Sequence, residues 1–264
     1  MDEKDLHNNS RSDELDFLKS YNGDSKKLEL TNKHGFPQRL DKEYVKKLPI
    51  NSFKGVIHLI DKKEDIGEAI KILRQEKVLG FDTETRPNFQ KGQKNMVSLL
   101  QLSTPRDAYL FRLNLIGFPY ELSSLLGDKS ILKVGVAILD DIRALQKLRK
   151  FEPESFVELS SIGNQLGIIT CGLQNLAAIF LGVRITKKER LTNWERSKFK
   201  ESQSLYAATD AWICLEIFIF LKIKKLLPKK IIWKMPNLKL SKKSTNYIKK
   251  TLKETISVTE KMDL

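Results

Sequence analysis

Residues 78–84, VLGFDTE, predict a β-strand whose second half carries two carboxylates. Strand alternation places Gly80, Asp82 and Glu84 on one face, with the two acids about 7 Å apart along it. Two like charges at that spacing repel each other unless a cation lies between them, and hard oxygen ligands suit magnesium or manganese. An Asp-x-Glu pair at a strand end is more often simply solvated. The strand therefore predicts a metal site only if further acids converge on it.

A second pair of acids opens a predicted helix that follows a strand at 132–136 and extends to about residue 150. The buried stripe of this helix is predicted to consist of Ile138, Ile142, Leu145 and Leu148. At about 100° per residue, Asp141 lies roughly 45° from the centre of this stripe and Asp140 roughly 145° from it. An acidic first turn that complements the helix dipole explains Asp140 well and Asp141 less well. Asp141 is therefore predicted to lean toward the sheet.

A third acid interrupts an apolar helix further along the chain, in YAATD at residues 206–210. Helical spacing aligns Tyr206 and Asp210 with the apolar residues Cys214, Ile217 and Leu221. A lone buried carboxylate is costly and needs a partner, which is either a basic side chain or a cation. Small side chains would let this helix lie close to a sheet, namely Ala207, Ala208 and Ala211.

The composition excludes several classes of protein. Hydrophobic residues make up 41% of the 264 residues and charged residues 30%, which indicates a folded soluble domain rather than full disorder. The longest nearly apolar run, 211–221, is interrupted by Glu216, so no membrane span is predicted. The acidic N-terminus predicts neither a secretory nor a transit peptide, and we expect a cytoplasmic protein. Cys171 and Cys214 alone cannot form a disulfide framework or a zinc site.

The net charge of +14 is concentrated at one end of the chain. Residues 222–264 carry 13 Lys and Arg against 3 Asp and Glu, whereas residues 1–50 are neutral overall. A nearly neutral body with a lysine-rich end indicates a polyanionic partner such as nucleic acid. A solvated tail that only aids solubility is the alternative.

The order of predicted elements indicates an α/β protein with a mixed sheet flanked by helices in a single domain. Strands are predicted at 56–60, 78–84, 97–102, 108–111 and 132–136. Further helices are predicted at 63–75, 160–166, 173–181 and 201–227, so the chain beyond Phe156 is expected to be mainly helical. Three regions follow: a polar, mobile N-terminal segment at 1–50, the α/β domain at 51–228, and a lysine-rich extension at 229–264.

Together these motifs resemble the tyrosine-containing (DEDDy) branch of the DnaQ-like 3′–5′ exonucleases, and the chain is similar to Werner-type and ribonuclease D exonuclease domains. The resemblance runs from about residue 54 to 226. It rests on GFDTET at 80–85, VGVAILDDIRAL at 134–145 and YAATDAW at 206–212. Leu205 stands where the histidine branch would place its histidine. The resemblance implies a ribonuclease H-like fold and hydrolysis of DNA or RNA to nucleoside 5′-monophosphates.

The resemblance also implies a catalytic set of five residues and two divalent cations, Mg²⁺ or Mn²⁺, about 3.5–4 Å apart. Asp82 would bridge both ions. Glu84 and Asp210 would hold the first ion, and Asp141 would hold the second through water. Tyr206 would orient the attacking water, because an unperturbed phenol with a pKa near 10 keeps its proton at pH 7.

Residues that bind the substrate are predicted on two segments. Met96 and Leu99, near the strand after the first motif, are candidates to wedge against the terminal base, with core packing as the alternative. Lys187, Lys188 and Arg190 are candidates to hold the phosphates of an entering single-stranded 3′ end. For these three residues a solvated loop is the alternative.

A non-catalytic nucleic-acid-binding protein on the same fold is the alternative function. The retained acids disfavour it, because a pure binder gains nothing from clustered negative charge that faces phosphates. A hydrolase that scavenges oligonucleotides would differ from an exonuclease only in the length of its substrate.

Overall fold

A computed structural model of the protein describes residues 32–87 and 95–234. The strands are β1 Val56–Ile60, β2 Val78–Thr85, β3 Val97–Ser103, β4 Asp107–Phe111, β5 Leu132–Gly135 and β6 Phe156–Glu158. They form one sheet in the order β1-β4-β3-β2-β5-β6. β3 runs antiparallel to β2 and β4, whereas the other neighbouring pairs are parallel. The predicted mixed sheet is therefore confirmed.

Helices cover both faces of the sheet. They are α1 Lys42–Lys47, α2 Ile66–Leu73 after a 3₁₀ turn at Lys63–Asp65, α3 Leu113–Ile116, α4 Tyr120–Leu126, α5 Ile138–Leu148, α6 Leu159–Gln165, α7 Leu173–Leu181, α8 Glu201–Ile223 and α9 Lys229–Lys234. Side chains alternate between the two faces along β2. Val78 therefore lies in the hydrophobic core beneath α6, α7 and α8, whereas Leu79 lies in the core beneath α2, α4 and α5. The sheet is thus buried on both sides.

The helix α8 is the centre of one of these two cores and packs across strands β1 to β5. By length and mean hydropathy, 1.5, it is the one helix in the described part of the chain that could cross a membrane. However, 89% of its apolar window is buried inside the fold, as is typical of a core helix.

The region beyond residue 150 departs from the prediction in two places. No strand was predicted at β6, where the chain was expected to become mainly helical, but its three residues pair with β5, with Val134 opposite Val157. A strand this short contains no detectable period. In addition, α8 ends at Ile223 rather than near Leu227. Lys225, two residues after Ile223, adopts a left-handed φ of 57°, which prevents the helix from continuing.

Residues 32–50, which were expected to belong to a mobile segment at 1–50, pack on the domain. Phe36 and Leu48 are buried, and the Phe36 ring contacts that of Phe180 edge-on at 5.2 Å. The backbone of Arg184 bonds to Pro49 and Asn51. Isolated apolar residues anchor this segment without creating a period that the sequence would show. Residues 1–31 lie outside the described range.

The predicted extension at 229–264 begins with α9. Ile231 packs against the edge of the core, and its N–H bonds to the Pro228 carbonyl. The domain therefore continues past the predicted boundary at residue 228. Residues 235–264, which hold most of the lysines of the extension, lie outside the described residues.

Glu216 is a buried carboxyl group in α8, and its Oε1 has no hydrogen-bond partner among the described residues. Burial raises its pKa to about 8, although the Trp212 indole one turn earlier opposes this change. Between pH 4.5 and pH 8 the folded protein therefore binds one more proton than the unfolded chain does. The free energy of unfolding should fall across this window by at most about 1.4 kcal/mol per pH unit because of this group.

We expect Glu216→Gln to match the wild type in stability near pH 4.5 and to exceed it increasingly up to pH 8. The substitution keeps the shape of the side chain and removes its ionisation. Urea unfolding of both proteins at pH 5, 6.5 and 8 measures the difference. The exposed Glu201, also in α8, supplies the control Glu201→Gln, which should show no such gain. A difference that is the same at every pH would contradict the prediction.

Candidate active site

Three carboxylates from two elements meet at the C-terminal end of β2. The carboxylate oxygens of Asp82, Glu84 and Asp210 all lie within 4.8 Å of one another. The approach depends on Gly80, because a Cβ at that position would lie 2.0 Å from the Ala211 carbonyl oxygen. A glycine in β2 thus lets the α8 backbone lie directly on the strand and carry Asp210 to the two acids of β2.

Asp141 lies beside this group and faces the sheet, as its helix position predicts. Its carboxylate accepts a hydrogen bond from the Thr83 hydroxyl, 2.5 Å away. Asp140 is exposed and lies 3.5 Å from the Arg143 guanidinium. The two neighbouring acids therefore have different environments, and Asp141 is the one directed to β2. Thr83 itself was not predicted, because nothing in its local pattern marks it as a partner.

Burial is the main cause that raises the pKa of each of these four carboxyl groups. Repulsion from the other acids of the group adds to the rise at Asp82 and Glu84. The pKa is raised well above its usual value for Asp82, to about 9 for Glu84, to about 6 for Asp141 and to about 7 for Asp210. A hydrogen bond from Tyr206 and the charge of Lys187 oppose the rise at Asp210. Without a counter-charge, these groups therefore share protons rather than all ionise.

Tyr206 lies one helical turn before Asp210 and is buried, with 4% of its surface exposed. Burial and the nearby carboxylates raise the pKa of its phenol far above the ordinary value. Its ring lies 6.0 Å from that of Trp194, which in turn packs edge-on against Phe199. The hydroxyl is therefore held in a fixed position beside Asp210 and keeps its proton at neutral pH.

The segment that carries Trp194 is anchored by Arg112, which directly follows β4 at the same end of the sheet as the carboxylates. The buried guanidinium of Arg112 donates hydrogen bonds to the carbonyls of Arg196 and Ser197, and it lies 4.6 Å from the Phe199 ring centre. These contacts of Arg112 hold in place the segment whose Trp194 ring packs against Tyr206.

A cavity of about 400 Å³ opens over the carboxylates. Asp82, Glu84 and Asp210 line it together with Lys187 and Arg190. The charge of Arg190 lowers the pKa of Glu84, against the larger effect of burial. Acidic and basic groups in one cavity can hold a cation and a phosphate side by side.

The other residues that were predicted to bind substrate lie in different environments. Lys188 is exposed but does not line this cavity, and Met96, directly before β3, is 59% exposed. Leu99 is completely buried in the core beneath α8, so the prediction that it contacts substrate is wrong and the alternative of core packing holds. The reason is that β3 lies between β2 and β4 and is covered on both faces.

The cluster of carboxylates formed by Asp82, Glu84 and Asp210 is suited to binding a divalent cation. Oδ1 of Asp210 is buried and has no hydrogen-bond partner among the described residues, although an unsatisfied buried oxygen is costly. The donors are all carboxylate oxygens, which suit Mg²⁺ or Mn²⁺. A cation would satisfy the unpaired oxygen and offset the repulsion that adds to the raised pKa values of Asp82 and Glu84.

Comparison with known proteins agrees with this geometry. A family model described as 3′–5′ exonuclease matches residues 57–227. The chain is 37% identical over 147 residues to the bifunctional 3′–5′ exonuclease/ATP-dependent helicase WRN of Mus musculus, and 36% identical over 146 residues to the exonuclease 3′–5′ domain-containing protein 2 of Drosophila melanogaster. These matches cover 53% and 54% of this chain, but only 10% and 25% of the two relatives.

Solved structures share the fold. The Aedes aegypti Nibbler EXO domain aligns with a TM-score of 0.60 at 21% identity, covering 76% of this chain and 99% of that one. Escherichia coli RNase D aligns with a TM-score of 0.58 at 20% identity, covering 70% and 51%. These likenesses confirm the ribonuclease H-like fold, and the family model covers well over half of the sequence. The chain belongs to the 3′–5′ exonuclease family.

Proposed function

We propose that this chain is a metal-dependent 3′–5′ exonuclease, which hydrolyses the terminal phosphodiester bond of a single-stranded 3′ end and releases nucleoside 5′-monophosphates. The observation that carries the proposal is the meeting of three carboxylates within 4.8 Å in a cavity that also holds two basic side chains. A surface that only bound nucleic acid would gain nothing from clustered acids facing the phosphates.

In this proposal Asp82, Glu84 and Asp210 would hold one divalent cation, Mg²⁺ or Mn²⁺, and Asp141 together with Asp82 would hold a second. Such cations make a water molecule easier to deprotonate and offset the negative charge that develops on the phosphate and the leaving oxygen. The protein contributes the fixed positions of the oxygens, because β2 and α8 are both packed in the core.

Tyr206 is proposed to position the attacking water rather than to remove its proton. The raised pKa means that the phenol is protonated at neutral pH and can donate or accept a hydrogen bond without changing its charge. The packing against Trp194 holds the ring in one orientation.

Lys187 and Arg190 are proposed to bind the phosphates of the strand as it enters. We expect Lys187→Ala combined with Arg190→Ala to raise KM more than it lowers kcat. Each phosphate contact that is lost should also flatten the log–log salt dependence of binding by roughly 0.7 on single strands. Fluorescence anisotropy of a labelled oligonucleotide across a salt series measures the slope. Lys188→Ala, outside the cavity, is the matched control, and an unchanged slope in the double variant would contradict this role.

The function is tested directly by incubating the protein with end-labelled single-stranded DNA, single-stranded RNA and recessed duplexes in the presence of Mg²⁺ or Mn²⁺. Stepwise shortening from the 3′ end is expected. Internal cuts in a circular single strand, or full activity in excess chelator, would contradict the proposal.

A further inference from the structure

Glu158 joins the start of two helices next to the candidate site. It is the last residue of β6 and lies opposite Gly135 of β5. Its Oε2 accepts a hydrogen bond from the N–H of Ile138 at 2.9 Å, and its Oε1 accepts one from the N–H of Ala137 at 3.0 Å. Oε1 also accepts hydrogen bonds from the N–H of Ser160, at 2.9 Å, and from the Ser160 hydroxyl. One carboxylate therefore binds the N-termini of both α5 and α6.

The turn before α5 depends on this side chain. Ala137 adopts a left-handed conformation, with φ 61° and ψ 32°, which is unfavourable for a residue with a Cβ. As the residue that begins α5, Ala137 also has no side-chain oxygen with which to cap the first free N–H groups of the helix. Glu158 supplies both the missing acceptor and the negative charge that a helix N-terminus favours.

Asp141 lies in the first turn of α5, three residues after Ile138. The Asp141 carboxylate accepts a hydrogen bond from the Thr83 hydroxyl. The backbone of Asp141 follows directly from the turn whose N–H groups bind Glu158. Glu158 is close enough that its charge contributes to the raised pKa of Asp141. The position of Asp141 relative to β2 thus depends on both attachments.

We propose that Glu158 is a positioning residue for Asp141: by fixing the first turn of α5, it holds that carboxylate where it can share a divalent cation with Asp82. The inference rests on the proposed function, in which Asp141 is a metal ligand. Glu158 acts through the backbone of the turn and through α5.

Glu158→Gln tests this role, because it keeps the length of the side chain and replaces one acceptor oxygen with an NH₂ group that faces backbone N–H donors. Changes to groups that orient metal ligands typically cost 10- to 100-fold in metal affinity or activity. We expect turnover to fall by about 10-fold or more on that scale, with KM for the oligonucleotide unchanged. The Mn²⁺ concentration that gives half-maximal activity should rise, and the increase in melting temperature caused by Mn²⁺ should shrink. Glu158→Asp, which keeps the charge, should recover part of both responses.

Asp41→Ala is the matched control. Asp41 caps α1, away from the cavity, by accepting hydrogen bonds from the N–H groups of Glu43 and Tyr44 at 2.7 and 3.2 Å. Loss of this cap should lower the melting temperature and leave both turnover and the response to Mn²⁺ unchanged. In the background of Asp141→Asn, Glu158→Gln should cause no further loss of activity, because the two residues act as one unit.

The inference is overturned if Glu158→Gln lowers the melting temperature but keeps wild-type turnover and the wild-type response to Mn²⁺, since Glu158 would then be only a structural cap. It is also overturned if the effects of the Glu158 and Asp141 substitutions multiply independently. If the wild type degrades no substrate, the proposed function fails. In that case the Mn²⁺-induced change in melting temperature still decides the role of Glu158.

Discussion

Replacing Asp82 by alanine is expected to lower exonuclease turnover at least about 10³-fold, because a ligand proposed to be shared by both cations contributes several kcal/mol of charge stabilisation in the transition state. The fold should survive the change. Asp82 lies within a group of partly buried carboxyl groups that raise its pKa by repulsion, so its removal relieves repulsion in the absence of metal. We expect the melting temperature without metal to be equal to or above that of the wild type.

Single-turnover rates on a 5′-labelled single strand measure the loss of turnover, and circular dichroism melting curves measure the stability. Asp140→Asn is the matched control, since Asp140 is an exposed acid adjacent to Asp141 and outside the carboxylate cluster. It should retain wild-type turnover. Substantial activity in Asp82→Ala at saturating Mg²⁺ would refute the proposed role of Asp82.

Tyr206→Phe is expected to lower turnover on the order of 10²-fold while largely sparing the affinity for substrate. The substitution keeps the ring and its packing against Trp194 and removes only the hydroxyl beside Asp210. Folding and metal affinity should therefore be nearly unchanged. The loss should come from one orienting hydrogen bond in the transition state.

Asp210→Asn separates this effect from loss of metal. Because Asp210 is proposed as a ligand, its variant should bind Mn²⁺ more weakly, and higher metal should partly restore its activity. Tyr206→Phe should show no such rescue. The comparison is the single-turnover rate against metal concentration for both variants, and wild-type turnover in Tyr206→Phe would rule out the positioning role.

Local periodicity predicted most elements of the fold. β1 at 56–60 and α7 at 173–181 have the predicted bounds, and β2, β3 and β4 differ from theirs by one residue at one end. These elements alternate or repeat clearly and are bounded by turn residues, so each segment contains its own signal. The short β6 contains too few residues for such a signal. The packed segment at 32–50 was missed because its few apolar contacts are made with distant parts of the chain.

Substrate contacts were predicted less well than the acids. Met96 and Leu99 are three residues apart and similar in chemistry, yet one is exposed and the other is completely buried. The sequence does not say which strand lies at the centre of the sheet, and β3 is central only because β2 and β4 both pair with it. Lys187 lines the cavity and its neighbour Lys188 does not, because the course of their loop over the domain places only the first of them there.

The acids of the site, and the face of the strand or helix on which each one lies, can be read from the local sequence, because the periods of 2 and 3.6 residues are local properties. The approach of Asp82, Glu84 and Asp210 to within 4.8 Å arises only when the chain folds. That meeting requires the α8 backbone to lie against Gly80, more than 120 residues earlier in the chain. The carboxylate of Glu158 likewise binds the turn that begins α5, about 20 residues before it. Contacts between distant segments form when elements pack, and no local pattern contains them.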